Sequence, residues 1–247
     1  MKHYLLTTIA TLLLVGCAAT ENRDEKTSNR VPADKEATAA TVELYNYMYD
    51  LATKGVIFGH QDDLAYGIGW VDEGNYRSDV EGVTGDYPAL FGWDLGMVEL
   101  GAANNLDDVP FDDMRRNIIW ADAHGAINTF SWHGRNPLTD GDSWDVSSDK
   151  VVWSILNDEA VAEKYRLWLD RMADFMLSLR RADGELIPVI FRPYHELSGN
   201  WFWWCASQCS VEDYVALWRY TIDYLRDKGA HNMLVSYSMA GYETIEE

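Results

Sequence analysis

Leu186-Ile187-Pro188-Val189-Ile190-Phe191-Arg192-Pro193-Tyr194-His195-Glu196 is an apolar run whose carboxyl end breaks into a cation, an imidazole and a carboxylic acid. An apolar run of this length bounded by polar residues reads as a buried strand of a parallel sheet. Runs of the same character lie at 55–61, 89–96 and 126–133 upstream and at 232–238 downstream. The segments between them carry helical periods. Over 161–181, Tyr165, Trp168, Leu169, Met172, Phe175, Met176 and Leu179 follow an i, i+3, i+4, i+7 stripe. A second helix is predicted over 210–229, with Ser210 and Asp213 in capping-box positions, Tyr214, Trp218, Ile222 and Leu225 along one face, and Gly229 as the stop. Weaker helices are predicted over 112–123 and 43–53. Strands alternating with helices imply an α/β fold with a parallel sheet. Polar residues gather at the strand ends: His60, Asp94, His133 and His195-Glu196. Active sites of a (β/α)8 TIM barrel are built at those ends. A doubly wound sheet is the alternative, but Gly59-His60-Gln61-Asp62-Asp63 is not the Gly-rich phosphate loop it usually needs.

The chain has 247 residues, 47% of them apolar, which suits one globular domain. Its 40 acidic against 20 basic side chains give a net charge of −20, so a polyanion such as nucleic acid would meet a repulsive field. Eleven Trp and 14 Tyr outnumber 7 Phe, a preference for rings with a polar handle that suits sugar faces and wet clefts.

Met1-Lys2-His3, the apolar run 5–15 and Leu14-Val15-Gly16-Cys17 read as a lipoprotein signal with Cys17 as the lipidated residue; an ordinary signal peptide is the alternative. The expectation is therefore an exported lipoprotein, held at the periplasmic face or the cell surface through its lipid anchor alone. Residues 18–40 lack an apolar period and read as a flexible tether, so the folded part, 41–247, is expected to begin at Thr41. Cys205 and Cys209 then remain on the export side, where a local disulfide is expected and two free thiols are the alternative.

The chemistry concentrates between Ile190 and Trp204. A carboxylic acid at a strand end, beside His195 and Arg192 and followed by Trp201, Phe202, Trp203 and Trp204, suits a proton donor to a glycosidic oxygen, with aromatics to hold the sugar. The plainer reading of Glu196 is a rim salt bridge to Arg192, and Trp203 and Trp204 read as packing residues. Asp94 could meet sugar hydroxyls or hydrogen-bond backbone. Trp144, in the long loop after the third strand, could stack on a distal sugar or pack within its loop. His60 and His124 read as structural histidines, because neither has a second metal ligand at helical spacing. Asp62-Asp63 and Asp107-Asp108 read as solvated turn or helix-start residues. No metal or cofactor is implied.

The segment around Glu196 resembles the acid/base signature of glycoside hydrolase family 26. Phe130-Ser131-Trp132-His133-Gly134-Arg135-Asn136-Pro137 is similar to that family's third-strand motif, and Phe58-Gly59-His60-Gln61-Asp62 to its first-strand motif. The resemblance implies a retaining endo-β-1,4-mannanase acting on mannan, glucomannan or galactomannan, with β-1,3-xylan or mixed-linkage glucan as other substrates of the family. It implies Glu196 as general acid/base, His195 orienting it, Trp201 as a sugar platform, His133 against substrate and Arg192 in support.

The family's nucleophile is a Glu ending the seventh strand, whereas five strands are legible here. Glu243, Glu246 and Glu247 follow the fifth in a helical-looking tail and cannot be assigned that role. Five of eight units are therefore expected, as in a truncated barrel lacking one of the two carboxylates that retention needs. These 247 residues alone are expected not to turn over mannan. A noncatalytic glycan-binding lipoprotein is the alternative class.

Overall fold

Five short parallel strands form one sheet, and their order across it repeats their order along the chain. A computed structural model describes residues 30–240. Cys17 with its signal segment, residues 18–29 of the expected tether, and Glu243, Glu246 and Glu247 lie outside the described residues.

Helix α1 (Ala39–Ala52) leads to strand β1 (Gly59–Gln61) and a small antiparallel hairpin of β2 (Tyr66–Gly67) and β3 (Trp70–Val71). Helix α2 (Asp79–Thr84) precedes β4 (Leu90–Asp94), α3 (Phe111–Ala123) precedes β5 (Ile127–Ser131), and α4 (Val151–Asn157) with α5 (Glu159–Ser178) precedes β6 (Val189–Arg192). Helix α6 (Val211–Asp227) and β7 (Met233–Val235) follow. The sheet runs β1-β4-β5-β6-β7, all parallel. A doubly wound sheet reverses direction at a switch point, and this one does not, so the sheet is the arc of a TIM barrel.

Register sorts the side chains into two layers. Phe91, Trp93, Phe130, Val189 and Phe191 are buried, in one core with Met114 and Ile118 of α3 and Leu169, Met172 and Met176 of α5. The opposite layer contains Gly92, Thr129, Ile190 and Leu234, aligned as successive partners across the sheet, with Ile190 and Leu234 only half-buried. One step nearer the carboxyl ends of the strands, the same layer contains Asp94, Ser131 and Arg192 in a row. The bulky layer carries the packing, and the other carries the polar groups.

The long predicted helices are present, and the Ser210 hydroxyl accepts from Asp213 N at 3.1 Å, as the capping pattern requires. The strands are shorter than the apolar runs that announced them, because residues beyond their hydrogen-bonded cores continue as turns; Pro193 has no N–H with which to extend β6. The start of the folded part differs from the expectation at Thr41. Helix α1 already begins at Ala39, and the preceding segment is fastened down: buried Asp34 holds His231 at 3.0 Å and lies 3.6 Å from Arg226. Helices α2 and α4 and the β2–β3 hairpin had no strong periodic signal.

Candidate active site

The cleft forms where the polar layer reaches the carboxyl ends of β4, β5 and β6. Asp94, ending β4, is 2% exposed, and its carboxylate is fully engaged. Oδ1 accepts from Gly96 N at 2.7 Å and His133 N at 3.2 Å; Oδ2 accepts from Ser131 Oγ at 2.6 Å and pairs with His133 Nδ1 at 2.7 Å. Of the two sequence readings of Asp94, contact with sugar or hydrogen bonding within the rim, the geometry gives the second, because no lone pair is left to meet a hydroxyl. Burial pushes the Asp94 carboxyl up, but these hydrogen bonds and the His133 charge outweigh it and hold the group below its ordinary value.

His133 is the mirror image. Burial pulls its imidazole down, yet the bond to Asp94 and that carboxylate's charge keep it above 6.5. Its Nε2 lies 3.2 Å from Nε2 of His195. Burial and then the His133 charge push His195 down to about 4. The two rings share one Nε2–H, and the opposite directions of their shifts make His133 the more readily protonated of the pair. His195 Nδ1 is buried and has no partner among the described residues.

Glu196 follows His195 in a turn whose backbone is strained on both sides, with φ +49° at Tyr194 and +59° at Glu196. Neither is glycine, so the surroundings must enforce the shape. Tyr194 does much of this. Its ring is buried, its hydroxyl bonds Thr221 Oγ1 at 2.6 Å and also the Tyr165 hydroxyl, and α5 and α6 thereby grip the turn. Trp204 adds an indole N–H to the His195 carbonyl at 2.9 Å, and Trp203 reaches the Gly134 carbonyl at 2.9 Å. Trp203 and Trp204 are thus packing residues, each with its polar atom satisfied.

The Glu196 side chain is half-buried, and Oε2 accepts from Trp201 Nε1 at 2.8 Å. Gly199 allows this return of the indole: a Cβ there would fall 2.6 Å from Trp201 Cζ2. Among the described residues no ion pair joins Glu196 to Arg192, so the rim salt bridge is not what occupies the acid. Arg192 stands in the row of Asp94 and Ser131, with its Nε buried and unpartnered. Phe202 is fully buried and links the parts, with ring centroids 5.2 Å from His133, 5.4 Å from His195, 6.3 Å from Trp201 and 4.7 Å from Trp144. Trp144 is 58% exposed, leaning on Phe202 with most of its ring free. A half-buried acid beside a pair of imidazoles, rimmed by two indoles, can deliver a proton to a ligand oxygen whose ring lies on aromatic surface.

Two expectations are corrected. Cys205 and Cys209 are free thiols, because the turn directs them apart: Cys205 Sγ donates to the Glu196 carbonyl at 3.5 Å, while Cys209 Sγ points back to the Cys205 carbonyl at 3.7 Å. Burial raises both thiols, Cys209 to about 11, which keeps them protonated and unreactive. Asp62 and Asp63 are buried rather than solvated, with 0% and 1% exposure. Burial and then the Asp107 charge raise Asp62 to about 7. His60 is half-exposed, with Nδ1 3.5 Å from buried Asp63. His124 does have a structural place, with Nδ1 2.7 Å from the Trp120 carbonyl.

Sequence reasoning missed Glu99. It is 0% exposed, accepting from Trp132 Nε1 at 3.2 Å and Arg135 N at 2.9 Å, so a second buried carboxyl braces the loop that presents His133. Nothing local in Val98-Glu99-Leu100 signals this.

Comparison with known proteins agrees with this geometry. Residues 33–246 match glycosyl hydrolase family 26. A mannan endo-1,4-beta-mannosidase of Bifidobacterium adolescentis is 37% identical over 229 residues, covering 90% of this chain and 22% of that protein. A solved GH26 beta-mannanase from Bacteroides ovatus superposes with TM-score 0.79 at 49% identity, over 82% of this chain and 58% of the other. A modular endo-beta-1,4-mannanase from Cellulomonas fimi gives 0.75 at 38% identity, over 83% and 46%. The chain therefore spans less than two thirds of each of these relatives.

Proposed function

The chain belongs to glycosyl hydrolase family 26, and on that premise we propose that it carries the acid/base half of a retaining β-1,4-mannan hydrolase. Glu196 donates a proton to the glycosidic oxygen as the leaving sugar departs. As a carboxylate it then takes a proton from the water that attacks the glycosyl-enzyme intermediate. His195 and the strained turn aim the carboxyl, Trp201 and Trp144 offer ring faces to the sugar chain, Arg192 supports the site, and His133, held by Asp94 at Nδ1 and by His195 at Nε2, orients His195. The observation that carries this reading is the hydrogen bond from Trp201 Nε1 to Glu196 Oε2 at 2.8 Å, which couples an aromatic platform directly to the acid. Retention needs a second carboxylate about 5–5.5 Å away as nucleophile. Asp94 does not serve, since all its lone pairs are taken, and we propose that a carboxylate outside residues 30–240 supplies the nucleophile.

Glu196→Gln in the full-length protein tests the assignment. The expected loss in kcat/KM on galactomannan is about 10²–10⁴-fold, with aryl glycosides of good leaving groups partly spared because they need little protonation. Equal loss on both substrates would make Glu196 structural.

We propose that the protein is exported and anchored through a lipidated Cys17, supported by the apolar run and Leu14-Val15-Gly16-Cys17. Cys17→Ala should move it from the membrane to the soluble fraction; unchanged membrane association would refute the anchor.

A further inference from the structure

The loop after β1 is anchored in the core by Leu64 and Ala65, and beyond them it is stiffened along its length. Asp79 accepts from Trp70 Nε1 at 2.7 Å and Ile68 N at 2.6 Å, fixing the indole. Gly67 leaves room for it, since a Cβ there would lie 2.3 Å from Trp70 Nε1. Asp72 Oδ2 accepts from Arg116 Nη2 at 2.5 Å and Asn117 Nδ2 at 2.9 Å, tying the end of the hairpin to α3. Arg77 lies 5.0 Å over the Trp70 ring. This braced hairpin borders an open cavity of about 830 Å³ lined by Tyr66, Trp70, Asp72, Glu73, Asn75 and Arg77.

The cavity adjoins the cleft through Tyr66. The Tyr66 ring is 41% exposed, and its hydroxyl donates to buried Asp62 at 3.2 Å. Asp62 directly follows β1, and its N–H donates to the Gly92 carbonyl of β4 at 2.9 Å, so Tyr66 is held at the rim of the sheet on which Asp94 stands. The lining suits one ligand class. Two rings offer faces to C–H surface, while carboxylate, amide and guanidinium groups match the paired hydroxyls of a sugar. Both signs of charge are present in a chain of net charge −20, which disfavours an anion and favours a neutral ligand.

We propose that the β2–β3 cavity is a distal glycan subsite, binding an uncharged sugar residue of the polysaccharide chain remote from the bond being cleaved, where that chain leaves the cleft past Tyr66. This rests on the hydrolase reading above, and the test separates the two. In the full-length enzyme, Trp70→Ala and, separately, Arg77→Ala should each raise KM for long glucomannan about tenfold, a typical cost of one lost aromatic or charged contact. The kcat on the polymer and kcat/KM on a short aryl β-mannobioside should not move. Arg77 is exposed, so its removal guards against a misfolded Trp70 variant. Unchanged KM on the polymer in both variants would overturn the subsite, and so would equal losses on polymer and short substrate. Affinity electrophoresis in glucomannan gels, with Glu196→Gln as background, reads binding without turnover. Retardation weakened by either hairpin substitution supports the subsite, and retardation indifferent to both overturns it. If the parent enzyme cleaved neither substrate, the hydrolase reading would fall while the gel still decided the subsite.

Discussion

The loop after β5 and the turn after β6 present His133 and Glu196 at the same rim, but opposite means hold them in place. Residues 131–135 are gripped by carboxylates: Asp94 takes the Ser131 hydroxyl and both the backbone and ring of His133, and Glu99 takes the Trp132 indole and the Arg135 amide. Residues 194–204 are gripped by rings, with Tyr194 sunk among Trp203, Trp204, Tyr214 and Trp218 at centroid distances of 6.2 Å. A charge grip responds to protons. A ring grip responds to volume. The two sides of the cleft should therefore fail under different insults.

The largest expected effect belongs to the ring side. Tyr194→Ala removes a buried ring and both hydroxyl bonds, and should cost about 3–5 kcal/mol in urea unfolding. That loss should hardly vary between pH 5 and 8. Tyr194→Phe keeps the volume and should cost about 1–2 kcal/mol, since the Thr221 and Tyr165 hydroxyls still satisfy each other at 3.0 Å. A strongly pH-dependent loss in either variant would break the distinction.

Asp94→Asn should come next, at about 1–3 kcal/mol, because an uncompensated imidazolium can shed its proton instead of staying charged. Here pH matters. Asp94 is held below its ordinary 3.8, so its contribution is present above that value and lost as pH falls through the folded one. His133 is held above 6.5, so its contribution is full below that pH and lost as pH rises through the folded value. The penalty of the variant should accordingly be greatest near pH 4–6.5 and shrink on both sides. Proton NMR of the His133 ring should show its titration moving to lower pH; an unmoved titration would remove Asp94 from that role.

The smallest effect is expected for Glu99→Gln, at about 1 kcal/mol or less. Burial already raises the Glu99 carboxyl against the pull of its donors, and an amide oxygen still accepts one of them. A cost above that of Asp94→Asn would show that Glu99, not Asp94, is the main brace.

The ring side was the more legible in sequence. Trp203 and Trp204 announce packing by their bulk, Ser210 and Asp213 announce a cap, and strand ends at Asp94, His133 and Glu196 mark the rim. The charge side was nearly opaque. Glu99 meets Arg135 across 36 residues of chain, and no local pattern encodes that meeting. Asp62-Asp63 looked like solvated turn residues because adjacent carboxylates usually are, but the fold buries both. The cysteines misled in another way: a short C-x-x-x-C spacing does not fix which way each thiol points.

Because the strands lie across the sheet in the order in which they occur along the chain, each has its partner available as soon as it emerges during synthesis. Strand β4 can dock on β1, β5 on β4, and β6 on β5, with no segment waiting for a distant one. Loop closure between successive units spans a few dozen residues, and its entropic cost grows only slowly with that length. The bulky layer can therefore zip against its helices unit by unit from the amino end. His133 and Glu196, which follow consecutive strands of that series, meet only when β6 arrives, so the cleft is assembled late on a scaffold already half folded.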